Sequence, residues 1–404
     1  MRLRLLGVLV FATCSAAENP RREQAPVDIH GTVFLDQNGN GSQDEGEPGV
    51  SGAAVSDQID VVRASSSGSF RLEHSAGYGL VFVTVPHGYA AEGPFWKRLT
   101  LDAGSERVDF PLVQRGRVDD FTFLHASDTH LSKESLPRME RLRELAGALH
   151  PDFILITGDL VRDALRVSEQ VAGDYFDMLV EEIAKFPVPV WTVPGNHDVF
   201  GIERQLSHVS PDHPLYGKEM YRHLLGPNYY SFTYGGVHFI GLDTIDFDDQ
   251  WYYGHVDATQ LAWLERDLSH VAPETTVVTF NHIPFATSLE MLAGYRETPP
   301  APTLITVDGK TQFRHTVANA EDVLAILRQH RFPLALGGHL HAREMLVFQA
   351  GGQRTRFHQA AAVVGTNWVA GLEMVSGVTL YRVRGGEIDD GTFLPLDQPH
   401  SAAE

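Results

Sequence analysis

Phe121-Thr-Phe-Leu-His125-Ala-Ser-Asp128-Thr-His130 decides how this chain is read: an apolar run of strand length stops at two side chains that can bind a metal. Four later segments repeat the plan. FILITGD ends at Asp159, VWTVPGNHD carries Asn196 and His197, VVTFNHIP carries His282, and LALGGHLH carries His339 and His341. Donors just past strand ends suit an α/β sheet, because the carboxyl ends of parallel strands converge on one crevice. One residue separates the donors in Asp128-Thr-His130 and in His339-Leu-His341. An extended backbone would therefore point both members of each pair to the same side. Glycines in GD, GNHD and GGHLH let the chain bend where the loops crowd together. A single D-x-H is more often a hydrogen-bonded strand end than a ligand pair, and an isolated GD or lone NH is uninformative. Five such segments in order, each closing an apolar run, are a different signal.

Around these segments, apolar runs alternate with helical periodicity. Helices are expected over 134–149, 168–186, 257–271 and 319–331. Asp257 stands at an N-cap position, and Leu261, Leu264 and Leu268 recur on one face. Strands are expected over 121–126, 153–157, 188–193, 238–242, 277–280 and 334–336, which makes an α/β core. After His341 the pattern turns β-rich again. Upstream, from Asp28 to Val113, short strand signals alternate with Gly, Pro, Asn and Ser, which predicts a small antiparallel sandwich. The expected division is a small all-β domain over 28–115 and an α/β catalytic part over 119–395. The long stretch 285–314, with Pro299-Pro300, reads either as a lid or as an irregular surface excursion. Tyr229-Tyr230, Trp251-Tyr252-Tyr253 and Phe200 read either as stacking surfaces for an organic leaving group or as loop packing.

Composition limits the chemistry. With 52 acidic and 32 basic residues among 404, the formal charge is −20, which opposes a protein that grips nucleic acid through its phosphates. One cysteine, Cys14, excludes a disulfide framework and thiolate-bound zinc within the chain. Twenty histidines leave nitrogen and oxygen to build any transition-metal site. The start is laid out as a secretory signal over 1–17: Met1-Arg-Leu-Arg4, the apolar run LLGVLVFA, then Ser15-Ala-Ala17. Cleavage after Ala16 or Ala17 gives a secreted or periplasmic protein. The alternative is a lipid anchor at Cys14, whose preceding FAT loosely resembles a lipoprotein cleavage site, giving a membrane-anchored lipoprotein. No later segment reaches the roughly 18 apolar residues of a transmembrane helix.

A second candidate metal site lies upstream. Asp36, Asn38, Asn40 and Asp44 occupy positions 1, 3, 5 and 9 of a D-x-[DN]-x-[DN]-G-x₅-E pattern, with Gly41 at position 6 and Glu47 at position 12. Calcium takes six or more oxygens around such a turn. Strand-like flanks argue against an EF-hand, and the other reading is a polar hairpin loop. The stretch resembles loops of small β-sandwich modules on secreted proteins, where calcium would be structural.

The order D-x-H, GD, GNH[DE], H, GHxH resembles the calcineurin-like metallophosphoesterases over about 119–381, with every motif present. The GHVDATQLAWLERDL segment is also similar to family members in which a QLxWL helix precedes the strand with the lone histidine. The resemblance implies a metallophosphoesterase-like β-sandwich core flanked by helices and a two-metal phosphate-ester hydrolase. One metal would take Asp128, His130, Asp159 and His341. The second would take Asp159, Asn196, His282 and His339, with Asp159 bridging and His197 facing the phosphate from outside the ligand set. Two divalent cations neutralise the ester's charge and supply hydroxide at neutral pH. Mn, Fe and Zn all suit such ligands. A histidine titrating near neutrality suits the leaving group, although His197 also reads as a brace for Asp198. Purple acid phosphatases carry GDxxY, but here Arg162 stands at the tyrosine position. Arg162 also stands where many relatives place the acid that orients the histidine, with Asp163 one step later. Substrate readings are small-molecule phosphodiesters or phosphomonoesters, or alternatively nucleic acid or phospholipid head groups. From another class comes a non-catalytic cell-surface binding protein that keeps the metal site.

Overall fold

The computed structural model describes residues 27–397 except 76, 92, 101–103, 296, 298–301 and 370. The leader-like segment, Cys14 and Pro299-Pro300 lie outside the described residues.

Two six-stranded sheets form the core of the α/β part. The first runs Val190–Val193, Phe153–Thr157, Asp120–Ala126, Gly377–Arg384, Glu387–Ile388, with Thr392–Pro395 also paired to Gly377–Arg384. Its first three strands are mutually parallel. The second runs Tyr230–Tyr234, Val237–Leu242, Thr276–Asn281, Arg331–Gly337, Gln353–Gln359, Glu344–Ala350, with four parallel strands in the middle. Phe153–Thr157 (FILIT) and Thr276–Asn281 (TVVTFN) are buried along their whole length, which explains why neither alternates apolar with charged positions. Aromatic rings fill the space between the sheets. Phe153 meets Phe239 edge-on at 5.2 Å between centroids, and Trp191 stacks on Phe232 at 4.0 Å. All five ligand-bearing segments leave carboxyl ends of parallel strands, three from one sheet and two from the other.

Helices Leu136–Leu149, Glu169–Ile183 and Ala258–Ser269 form where periodicity places them, each turning an apolar stripe inward. Asp257 caps the third by accepting from the Gln260 amide at 2.8 Å. The helix expected over 319–331 is shorter, spanning Ala320–Leu327, and Arg331 already begins a strand. Pro333 disfavours helical backbone at Phe332, so the chain leaves the helix early. The stretch 285–314 also contains regular structure: the helix Leu289–Ala293 and a hairpin of Leu304–Val307 with Lys310–Phe313. Among the described residues no helix is long and apolar enough to cross a membrane.

The upstream region folds into two sheets, ordered Ser69–Ser75, Val27–Leu35, Phe110–Gln114, Tyr89–Ala91 and Val61–Arg63, Ala54–Ser56, Leu80–Thr84, Trp96–Arg98. It is not antiparallel throughout. Val27–Leu35 pairs in parallel with Phe110–Gln114 and with Ser105–Arg107. The connection between them passes through the other strands and is long enough for a parallel crossover. The two regions share a seam. Thr233 N donates to Val85 O at 2.9 Å. Trp263 Nε1 donates to Ser56 Oγ at 3.0 Å, and buried Gln58 donates to Asn228 and to the Tyr229 carbonyl. Tyr229 and Tyr230 are buried in this seam, Tyr230 against Phe95, so their packing role prevails over stacking on a leaving group.

Candidate metal centre

The strand-end loops bring Asp128, His130, Asp159 and His341 into one group and Asp159, His282 and His339 into another, sharing Asp159. In the first, His130 Nε2 lies 3.0 Å from His341 Nε2 and 3.5 Å from Asp159 Oδ2, and His341 Nε2 lies 3.2 Å from Asp128 Oδ1. In the second, His282 Nε2 lies 3.2 Å from Asp159 Oδ1, from Asn196 Oδ1 and from His339 Nδ1. Asn196 therefore belongs to the second group. His282 Nδ1 donates to Thr157 O at 2.7 Å, which turns Nε2 toward Asp159.

The donors converge by a route that spacing did not suggest. Asp128, His130, Asp159, His339 and His341 all adopt positive φ, between 39° and 78°. Neither pair sits on extended backbone. Left-handed turns at non-glycine residues are costly and persist where surroundings enforce them. Here His130 N donates to Asp159 O at 2.9 Å, and His339 N donates to Asp128 Oδ2 at 3.1 Å, so each loop holds the next. Gly195 is needed for close approach: a Cβ there would stand 2.1 Å from Asp159 N. Gly158, at φ 81°, would set a Cβ 2.6 Å from the His282 ring.

Asp198, beside His197, is fully buried and accepts from the amides of Gly195, Leu160 and Val161. It ties the GNHD turn to the GD turn. Burial, together with the charge of Asp159, pushes its carboxyl up to about 7 against those amides. The His197 amide donates to Asp159 Oδ1 at 2.8 Å. The His197 ring stands edge-on to His130, 4.7 Å between centroids, with Nδ1 2.9 Å from the Arg162 carbonyl and 4.0 Å from Asp163. The carbonyl of Arg162 thus takes the orienting position, and its side chain turns away to Glu134.

The residues fit cations. Asp128 Oδ1 is buried and, with His341 Nε2 at 3.2 Å, receives no well-aligned hydrogen bond. His130 with His341, and His282 with His339, aim ring nitrogens at each other, and at most one of each pair can donate. Burial opposes charge on Asp159, yet the imidazoles of His282 and His197 hold its carboxyl well below the usual range. Burial also opposes charge on His282, but Asp159 and then Asp128 raise it to about 9. The carboxylates of Asp159 and Asp128 therefore favour positive charge at His282. Nitrogen and oxygen donors of this kind suit Mn, Fe or Zn.

His315, outside every motif, also enters the site: its Nδ1 lies 2.7 Å from His339 Nε2. Tyr252, in the hairpin of Ile245–Asp248 with Trp251–Gly254, packs edge-on to His339 at 5.8 Å. Phe200 is buried beside His213. Upstream, Asp36 accepts from the amides of Gly39, Asn40 and Gly41, Asp44 accepts from both Asn38 and Asn40, and Glu47 accepts from the Gln37 and Asp44 amides.

The family model of calcineurin-like phosphoesterases matches residues 121–343, more than half of the chain. The chain belongs to that family and is a phosphoric ester hydrolase. It is 26% identical over 267 residues to a probable cyclic nucleotide phosphodiesterase of Rhodococcus erythropolis, covering 58% of this chain and 75% of the relative. It is 28% identical over 236 residues to a cAMP/cGMP dual specificity phosphodiesterase of Mycobacterium tuberculosis, covering 55% and 62%. Among solved structures it is similar to a dimetal phosphatase of Danio rerio, with TM-score 0.43 and 15% identity over 65% of this chain and 93% of that one.

Proposed function

We infer that the protein is a two-cation phosphodiesterase acting on small molecules. The observation that carries this reading is the pair of ligand groups meeting at one shared carboxylate, Asp159. Asp128, His130, Asp159 and His341 would hold one divalent cation, and Asp159, Asn196, His282 and His339 the other. Cations bound there would neutralise the phosphate and provide a hydroxide nucleophile at neutral pH. The chain's own contribution centres on His197. Its Nδ1–H donates to the Arg162 carbonyl, which leaves Nε2 to hold a proton for the departing oxygen. Asp198 fixes that geometry by clamping the turn that carries His197.

A cyclic nucleotide is the first substrate to test, because relatives matching more than half the chain carry that activity in their names. A formal charge of −20 weighs against long polyanions. The alternatives of a nuclease, a phospholipid-head-group hydrolase and a non-catalytic binder are separated by one assay. Turnover of bis(p-nitrophenyl) phosphate, p-nitrophenyl phosphate, cyclic AMP and oligonucleotide is compared before and after chelation and repletion with Mn, Fe or Zn. The reading expects the diester and the cyclic nucleotide to be favoured. Faster monoester hydrolysis would overturn the diesterase assignment, and no turnover with any of these metals would favour the binder.

For the upstream region we keep the division near residues 115–119 and give it a bracing role through the seam. Calcium at Asp36, Asn38, Asn40, Asp44 and Glu47 would have to compete with the hydrogen bonds within that loop. Export rests on the leader-like composition of 1–17. N-terminal analysis of the processed protein separates cleavage near Ala17 from lipidation at Cys14.

A further inference from the structure

His339 uses both ring nitrogens. Nδ1 faces His282 Nε2 at 3.2 Å, inside the second ligand group, and Nε2 lies 2.7 Å from Nδ1 of His315. The His315 and His339 rings are 4.9 Å apart between centroids and inclined by 31°. A nitrogen that binds a cation must present a bare lone pair. If Nδ1 of His339 does so, its proton sits on Nε2, and Nδ1 of His315 accepts it.

The segment carrying His315 is fixed on both sides. Arg314 N donates to Thr303 O at 2.9 Å, Val317 N to Pro284 O at 3.0 Å, and Ala318 N to Gly254 O at 2.8 Å. Pro284 is two residues past His282, so the clamp reaches the strand end that supplies another donor of the same group. Arg314 is buried, its guanidinium 4.1 Å from the Tyr252 ring centroid, and it donates to the carbonyls of Tyr252 and Pro302. Gly254 makes the approach feasible, since a Cβ there would stand 2.2 Å from Thr316 O. The imidazole of His315 is thus delivered to His339 by a braced backbone.

We propose that His315 is a positioning residue for the second ligand group: it accepts the Nε2 proton of His339, fixes that ring's tautomer and plane, and thereby sets the group's affinity for its cation. The proposal rests on the two-cation reading. Partners of this kind change metal affinity by about 10–100-fold when removed.

The test measures cation stoichiometry and affinity on the full chain by competition with a chromogenic chelator, using Zn and Mn and needing no substrate. Wild type should bind two cations. His315→Leu should weaken one of them by about 10–100-fold and leave the other unchanged. His315→Asn, whose amide oxygen can stand near the place of Nδ1, should restore the affinity to within about threefold. Circular dichroism checks the fold, and if the Leu variant does not fold, His315→Ala takes its place against Asn. Two cations bound at wild-type affinity in a folded Leu or Ala variant would overturn the proposal while leaving the two-cation reading intact. Equal weakening in the Asn variant would also overturn it. Fewer than two cations on wild type would instead remove the reading beneath it.

Discussion

Two parts of this molecule look like metal sites when read as text, and their hydrogen bonds separate them. In the loop from Asp36 to Glu47, the carboxylates accept from the loop's own amides and from Asn38 and Asn40. At the strand ends, ring nitrogens face each other and Asp128 Oδ1 receives no well-aligned hydrogen bond. The donor counts are similar, but the unmet lone pairs are not. A turn rich in Asp and Asn satisfies itself because those side chains bond nearby backbone. A cluster assembled from two sheets has no local donors to spend, and left-handed backbone at five of its residues shows how firmly the fold enforces it. We propose that lone pairs aimed into a shared space mark a cation site better than composition does.

The sharpest way to break that comparison is to remove the shared donor. Asp159→Asn should abolish metal-dependent turnover, a loss on the order of a thousandfold or more, and lower bound metal from two cations to one or none. Metal analysis beside a diester assay checks both, and a variant keeping two cations and its turnover would refute the shared-ligand geometry. His197 should separate differently. His197→Ala should lower kcat by about 10²–10⁴-fold while metal content stays at the wild-type level. Lost metal would instead make His197 part of the cluster.

How much of this was legible depended on whether a feature is local. The five motifs could be read because each is an apolar run ending in donors, and the structure brings Asp128, His130, Asp159, Asn196, His282, His339 and His341 together. Their backbone could not be read, since spacing alone made extended D-x-H pairs the natural expectation. The orienting group of His197 was hidden for a related reason: it is the Arg162 carbonyl, which every residue possesses. His315 was invisible because it meets His339 only through the fold, 24 residues away. The seam was missed in the same way, so stacking on a ligand and loop packing both stood open for Tyr229 and Tyr230, which are buried against the upstream sheets.

Glu290 sharpens the comparison from a third position. It too is buried with an oxygen, Oε1, lacking any donor, but it stands outside the clusters of carboxylates and imidazoles. Burial pushes its carboxyl up to about 7, with only the Thr316 hydroxyl opposing. The folded chain therefore holds that proton more tightly than the unfolded chain. Stability falls as pH rises from the ordinary 4.5 through about 7, and stays reduced above it. Glu290→Gln should flatten this slope and raise stability above neutrality by about 1 kcal/mol, discounted for partial solvent screening. Denaturant titrations across that range check it, and an unchanged slope would mean that Glu290 finds a partner or water when ionised.

The smallest expected effect falls on the loop itself. For calcium to bind there, it must compete with the bonds that Asp44 Oδ2 accepts from Asn38 and Asn40, and share the Asp36 oxygens with three amides. The gain from coordination is offset by those losses, and the loop is largely exposed, so a bound ion would also forfeit hydration in competition with open solvent. Adding millimolar calcium to chelator-treated protein should therefore shift Tm by less than about 2 °C, a stability change below about 0.5 kcal/mol. Asp44→Ala should leave metal-dependent turnover at the wild-type level. A rise of several degrees that disappears in Asp44→Ala would show that this loop rearranges into a cation site, and that satisfied hydrogen bonds do not distinguish it from the cluster at the strand ends.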